Sequence, residues 1–508
     1  MTRRVCGIVA AVGNIDPEIC RKMLARIAHR GPDDTGELGI SNIWLGHQRL
    51  SIMDVEGGRQ PLADQAESAF VVANGEIYNH TELRAQLSDV EFGTGSDTEA
   101  ALHLLRLHGP AALPRLRGMF ALAFALPDGG FLAARDRLGV KPLYWARRPD
   151  GVLFASELRA FEPADRPAVR SFPPGMYWTP ETGLVRFADA VPASLREPPA
   201  RPIPWQRVTR QVRETLVASV EQRMMSEAGI GVFLSGGLDS AIIAAIAARW
   251  MRANGRKLPT FAVGSAGSSD LVAARLIAEW LGTEHHEIEL TEANVLEALP
   301  EAVRVIEHYD PSLVRSSVPN LLLARYTVGH VHAVLTGEGA DELFAGYSYL
   351  HEPPFTEPTA LHAELVRSVS ELHHLNLQRC DRTTMAFGLE ARVPFLDRAV
   401  VETALSIAPE DKLVRPGARE KQLLREAFAG WLPEEILWRP KEQFGDGSGA
   451  ADVLNAAAKE LLTRIHEPIA SSPDVRLRDE SESLYYSLWR KELAGIQVAD
   501  TLGMFATT

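Results

Sequence analysis

Residues 235 to 240 read Ser-Gly-Gly-Leu-Asp-Ser. Before them stands an apolar, partly β-branched stretch, Gly229-Ile-Gly-Val-Phe-Leu234; after them Ala241 to Trp250 reads as a helix. A strand that hands over to a helix through two glycines constrains both fold and chemistry. The glycines let the backbone approach a ligand closely. Unpaired N–H groups at the helix start point at that ligand, and the helix dipole favours negative charge there. Ser235 and Ser240 add hydroxyl donors. Asp239 repels a phosphate, so its expected task is to hold a magnesium ion that neutralises one. No Gly-Lys-Ser or Gly-Lys-Thr is present in the turn, which excludes the common P-loop. The spacing points to a pyrophosphate-holding variant, suited to cleaving ATP to AMP and pyrophosphate. An ordinary Gly-rich turn would leave the aspartate unexplained.

The rest of the chain fits around that turn. Further strands are expected at Pro259-Thr-Phe-Ala-Val263, His286-Glu-Ile-Glu-Leu290 and Val331-His-Ala-Val-Leu335. Alternation with helices predicts a parallel sheet with crossover helices, an α/β Rossmann-like unit. Residues 360–508 read mostly helical. Ahead of residue 190 the pattern is α+β instead. Short strands (43–46, 69–73, 119–124, 131–134) are interleaved with helical patterns at 82–87 and 98–106. Five prolines between 191 and 204 read as a linker. The expected division is 6–190, a linker at 191–206, and 207–508, and a chain of 508 residues is long enough for two cores.

Bulk properties narrow the function classes. The net charge is −13 and no long Lys/Arg run occurs, which argues against nucleic acid or an anionic membrane as partner. No apolar run reaches membrane-spanning length. Three cysteines, Cys6, Cys20 and Cys380, cannot build a disulfide framework, so a reducing, cytoplasmic setting is expected. The first residues carry two arginines and an apolar run, but Gly13-Asn-Ile-Asp-Pro17 breaks that run early. They read as a first strand, not as a targeting segment.

Polar clusters in the first half exceed what a structural domain needs: Arg30-Gly-Pro-Asp-Asp34, Gly46-His-Gln-Arg-Leu-Ser-Ile52, Asn74-Gly-Glu-Ile-Tyr-Asn79 and Gly95-Ser-Asp97. Asn74-Gly75 alone could be a hairpin turn. With Cys6-Gly7-Ile8, the set resembles the glutaminase domain of class II glutamine amidotransferases. The second half carries Ser235-Gly-Gly-Leu-Asp-Ser240, Gly337-Glu-Gly-Ala-Asp-Glu342 and Lys441-Glu-Gln-Phe444. It resembles the synthetase domain of glutamine-hydrolysing asparagine synthetases. The likeness runs from about residue 5 to about 450, with the motifs in family order.

The resemblance implies an N-terminal-nucleophile sandwich followed by a pyrophosphate-loop synthetase domain, with ATP and Mg2+ as cofactors. It implies that Cys6 attacks the glutamine amide, its own α-amine serving as base. Asn74 and Gly75 would form the oxyanion hole. Arg49 would hold the glutamine α-carboxylate and Asp97 its α-ammonium, with Glu76 assisting. Leu234, Ser235, Gly236, Gly237, Asp239, Ser240, Val263, Thr336 and Gly337 would hold ATP. Asp239 and Asp341 would ligate magnesium, Lys441 would face the reacting phosphorus, and Glu338 would take a proton from attacking ammonia. Related β-lactam-forming synthetases carry Tyr at the Glu338 position and lack the cysteine, so ring closure is not expected. The implied partners are glutamine or ammonia, ATP, a carboxylate acceptor with aspartate first, and a second copy of the chain.

Two departures stand out. Five residues precede Cys6 and would block its α-amine. Val5 precedes Cys6, and GTG, a codon for valine, can also serve as a bacterial start codon, so translation from position 5, or proteolysis of the leader, is expected to free it. Near the acceptor pocket Ser312-Leu313 stands where well-studied members carry Thr-Thr, while Arg315, a candidate for the acceptor α-carboxylate, is kept. Another carboxylic acid is therefore the alternative acceptor.

Overall fold

A computed structural model describes residues 6–503 except 32, 50–51, 55–56, 200–203, 415–418, 442–447, 465–474 and 476. The leader before Cys6, part of the proline-rich stretch, and Glu442, Gln443 and Phe444 lie outside the described residues.

Two six-stranded antiparallel sheets come first. One has the order β10-β8-β9-β1-β3-β2 and the other β12-β11-β7-β6-β5-β4. Their strands are β1 (Gly7–Gly13), β2 (Asp34–Ile40), β3 (Ile43–Arg49), β4 (Leu62–Ala63), β5 (Phe70–Ile77), β6 (Gly118–Ala125), β7 (Phe131–Arg135), β8 (Tyr144–Arg148), β9 (Gly151–Ala155), β10 (Val169–Ser171), β11 (Met176–Thr179) and β12 (Gly183–Arg186). The central strands β1, β3, β5, β6 and β7 are buried on both faces, whereas the edge strand β2 is partly exposed along its length. Alternate side chains still separate. Ile8, Ala10 and Val12 of β1 meet Phe70, Val72, Ala121 and Ala123 between the sheets. Val9 and Ala11 face outward onto α1 (Pro17–Arg26) through Met23 and Leu24. On the far side α2 (His80–Gln86) and α3 (Asp97–His108) cover Val71, Ala73 and Leu122. The result is a helix–sheet–sheet–helix sandwich.

Asn74-Gly75 is not a turn. Both residues lie inside β5, opposite Ala121 and Phe120. Gly75 has φ +141°, and a Cβ there would stand 1.9 Å from the Met119 carbonyl oxygen. Only glycine fits that approach.

The third sheet is parallel, in the order β15-β14-β13-β16-β17: β13 (Ile230–Phe233), β14 (Pro259–Gly264), β15 (Glu284–Glu289), β16 (Ala333–Leu335) and β17 (Glu390–Arg392). Helices α4 (Trp205–Gln222), α5 (Leu238–Ala253), α6 (Ser269–Leu281), α7 (Glu292–Ile306) and α8 (Pro311–Thr327) cover it. The run Ala241–Ala248 is buried all round, which explains why α5 lacks a polar face. Two strands begin away from their sequence-based positions. β15 starts at Glu284, because pairing with β14 begins at Pro259. β16 starts at Ala333, because the Val331 N–H is spent on the Thr327 carbonyl at the end of α8. Beyond β16 the chain is mostly helical, as expected.

Candidate active sites

The first site sits between the two antiparallel sheets. Gly7 pairs with Gln48, which sets Cys6 across from Arg49 at the open ends of β1 and β3. Cys6 is half-buried, and its carbonyl accepts a 3.1 Å hydrogen bond from Arg30 Nε. Arg49 donates to the Asp54 carbonyl at 2.6 Å. The Asn74 amide is fully buried, and neither its oxygen nor its nitrogen has a partner among the described residues. A buried, unsatisfied amide in a native fold calls for a ligand group. Asp97, the first residue of α3, accepts from the Ile77 N–H at 2.5 Å.

Burial raises the Asp97 carboxyl to about 6, with the Glu390 charge adding and backbone donors opposing. Glu76 is also buried beside this group and feels the Asp97 charge. Its carboxylate lies 3.2 Å from Arg392 of β17, and burial raises its carboxyl well above the usual range.

The second site lies at the carboxyl ends of the parallel strands. Strand order runs one way from β13 through β14 to β15 and the other way through β16 to β17. The switch falls between β13 and β16, where open α/β sheets bind ligands. Leu234, Ser235, Gly236, Gly237, Asp239 and Ser240 follow β13 there; Val263 is the last residue but one of β14; Thr336 and Gly337 follow β16. Gly236 has φ +76°, and a Cβ would meet the Asp270 carbonyl at 2.4 Å. Arg439 braces this turn, donating to the Gly236 carbonyl and to Asp270, both at 3.0 Å. The Ser235 and Ser240 hydroxyls stand 3.0 Å apart. The Thr336 hydroxyl is buried and has no partner among the described residues.

Asp239 and Asp341 converge on a lysine that sequence reasoning missed. Lys421 Nζ stands 2.5 Å from Asp239 Oδ2 and 2.5 Å from Asp341 Oδ1. Lys441 also bonds Asp341 and lies 5.0 Å over the Tyr347 ring. Burial opposes ionisation of Asp341, but the two lysines override it and hold the carboxyl well below the usual range. Asp239 is instead raised, burial and the Asp341 charge outweighing Lys421 and Lys441. Glu338 bonds Arg379 of the helix Asn376–Met385; burial raises its carboxyl and Arg379 opposes. Glu342 is raised to about 7 by burial and by Asp341 beside it, and receives the Tyr347 hydroxyl at 2.6 Å. Arg315 stands on the exposed face of α8, where its charge acts on Tyr485. Ser312 is exposed and Leu313 buried.

A charged seam joins the two sites. Arg30 bonds Asp381 at 2.9 and 3.2 Å and Glu157 at 2.9 Å. Arg382 bonds Glu307 at 3.1 Å, and Glu307 receives the Leu158 N–H at 2.9 Å. Lys141 lies 3.5 Å from Glu390. Arg392, paired with Glu76, accepts the Thr336 N–H at 3.0 Å through its carbonyl.

A cysteine heading the first strand of an antiparallel sandwich, followed by a phosphate turn at the switch point of a parallel sheet, defines a two-site enzyme: an amidotransferase half and a nucleotide-dependent half. Residues 5–174 match the glutamine amidotransferase domain family, and 211–360 and 353–488 match the asparagine synthase family. Asparagine synthetase [glutamine-hydrolyzing] 3 of Arabidopsis thaliana is 39% identical over 88% of this chain and 79% of its own length. The probable asparagine synthetase of Schizosaccharomyces pombe is 41% identical over 90% and 88%. Asparagine synthetase B of Escherichia coli K12 is 41% identical over 86% and 80%. This chain belongs to the glutamine-hydrolysing asparagine synthetase family.

The Asp97 geometry predicts a pH limb. If Asp97 holds the glutamine α-ammonium, only its ionised form can pair with it, and with the carboxyl raised to about 6 it is mostly ionised at pH 7 and mostly protonated at pH 5. Glutamine affinity of a Cys6→Ala protein should fall about tenfold between pH 7 and pH 5. Asp97→Asn should bind weakly and without that limb. Calorimetric titration decides; a flat profile in the Asp97-containing protein would refute the role.

Proposed function

We propose that the chain converts L-aspartate to L-asparagine, using glutamine as nitrogen source and cleaving ATP to AMP and pyrophosphate. Residues 6–190 would hydrolyse glutamine and residues 207–508 would carry the synthetase reaction. The observation that carries the reading is the gathering of Asp239, Asp341, Lys421, Lys441 and Glu338 around the phosphate turn.

In the first site Cys6 Sγ attacks the glutamine amide carbon. Asn74 Nδ2 and the Gly75 N–H receive the developing oxyanion, for which the unpartnered Asn74 amide is suited. Ammonia leaves, and water then cleaves the thioester to glutamate. Arg49 and Asp97 hold the amino-acid end. Glu76 assists through the Arg392 pair.

In the second site the acceptor carboxylate oxygen attacks the α-phosphorus and pyrophosphate departs. The turn N–H groups and Lys421 face the leaving charge, and Lys441 the reacting phosphorus. Asp239 Oδ1 is buried without a partner among the described residues. With Asp341 it fits the one or two carboxylates that magnesium takes alongside phosphate oxygens. Bound there, Mg2+ would neutralise phosphate charge. Ammonia then attacks the acyl carbon, AMP leaves, and Glu338 accepts the proton.

The test is direct. With ATP, magnesium, aspartate and ammonium, the protein should form asparagine and AMP in equal amounts. Glu338→Gln should lower asparagine formation by on the order of a hundredfold while keeping the fold. Wild-type rates in that variant would sink the Glu338 assignment. A second reading, amidation of another carboxylic acid, is favoured by exposed Arg315 and buried Leu313. AMP release that ignores aspartate and responds to another acid would establish it.

A further inference from the structure

Arg315, the residue expected to hold the acceptor, stands on the exposed face of α8. A different guanidinium lies inside the second site. Arg379, on the helix Asn376–Met385, is only 8% exposed, and its Nη2 bonds Glu338. Its Nε is buried and has no partner among the described residues. The Nε–H and one Nη2–H point the same way, and together they form an edge that takes a carboxylate through two parallel bonds. Glu338 fills half of that edge. An ion pair that served only the fold would fill both halves, because a buried donor left over costs stability. The surroundings suit the head of an amino acid. Asn376 lies three positions before Arg379, on the same side of the helix. Its Nδ2 donates to Glu342 at 3.1 Å and to the Tyr347 hydroxyl at 3.0 Å; that hydroxyl donates to Glu342 at 2.6 Å. The Glu338 charge acts on Glu342, and the charges of Asp239 and Asp341 act on Glu338. A guanidinium, an amide and a carboxylate therefore gather beside the two carboxylates proposed for magnesium.

We propose that Arg379 selects the acceptor: its Nε–Nη2 edge takes the carboxylate that is not amidated, with Glu342 beside it for the ammonium. The proposal rests on the reading of the second site given above. The incoming carboxylate displaces Glu338 from Nη2 and pairs Nε as well, so the acceptor gains two bonds where the empty site has one. The same exchange frees Glu338 from the guanidinium as the acceptor arrives, and a free carboxylate is a better proton acceptor than a paired one. An acid with a single carboxylate leaves Nε unpaired and Glu338 tied. The site therefore favours a dicarboxylic amino acid.

Acceptor-dependent AMP release with ATP, magnesium and saturating ammonium tests it. The unaltered protein should use aspartate and reject β-alanine, which lacks only the α-carboxylate, by about a thousandfold or more in kcat/KM. Arg379→Lys keeps the charge and loses the fork, so KM for aspartate should rise about thirtyfold, while KM for ATP and the rate of glutamine hydrolysis stay within about twofold. Arg379→Met should bring aspartate and β-alanine within about tenfold of each other. That ratio does not depend on how much of the variant folds. An unchanged KM for aspartate in Arg379→Lys, or full discrimination kept in Arg379→Met, would overturn the proposal. A rise in KM confined to Arg315→Lys would overturn it too, returning the role to α8. AMP release from the unaltered protein that ignores aspartate would instead overturn the aspartate reading beneath it.

Discussion

Cys6→Ala is expected to abolish asparagine formation from glutamine while ammonium salts still support it. Removing a nucleophile costs about 10^4-fold or more in the step it performs. The second site should not feel the change. Arg30 holds Cys6 through the backbone carbonyl, which alanine keeps, so the contacts of Arg30 to Asp381 and Glu157 persist. Ammonium-dependent synthesis should stay within about twofold of wild type, since no group near the adenylating site changes. Amino-acid analysis with each nitrogen source measures both arms. If a folded Cys6→Ala protein lost both activities, the separation into two sites would be wrong.

Lys421→Met is expected to have the opposite signature: glutamine hydrolysis kept, adenylation lost. Lys421 is nearly fully buried, and its ammonium lies between two carboxylates. A preorganised charge facing a leaving group is worth on the order of a hundred- to a thousandfold in rate. Acceptor-dependent AMP release under saturating ammonium should fall by about that factor. Part of the loss could be structural, because Asp239 would lose its buried partner. Lys421→Arg separates the effects: it keeps the charge and the melting temperature but displaces the point donor, so AMP release should still drop about tenfold or more. Wild-type AMP release from Lys421→Met would remove Lys421 from the chemistry.

The two proposed catalytic motifs were legible for a physical reason. The phosphate turn is local: strand, glycines, aspartate and helix lie within about twenty consecutive residues, and β13 and α5 form there. Cys6 was legible only beside Arg49, Asn74 and Asp97, because a cysteine in an apolar strand reads as core. Lys421 left no mark. It sits in Arg419-Glu-Lys-Gln422, an ordinary charged helix start, and what singles it out is three-dimensional. Its φ of +56° is uncommon for a lysine, and its partners lie 80 and more residues away. Glu76 shows the converse. Its motif was visible, but its attachment to Arg392 depends on pairing across sheets that no local pattern encodes. Leu313 and Arg315 show how far helix position outweighs residue type: neighbours on α8, they fall on opposite sides of its surface.

The buried ion pairs at the seam bear on how such a chain can be inherited. Arg30 and Asp381 are separated by 351 positions, and Arg159 and Glu307 by 148, yet each pair meets at the seam. A charge left there without its opposite costs several kcal/mol, more than a marginally stable protein can lose. Substitution on one side must be answered on the other. A chimera that grafts the first half of a relative onto this second half therefore imports a mismatched seam, even when both active sites arrive intact. The two halves are bound to a shared mutational history, and recombination within the family is confined to exchanges that carry the matching charges together.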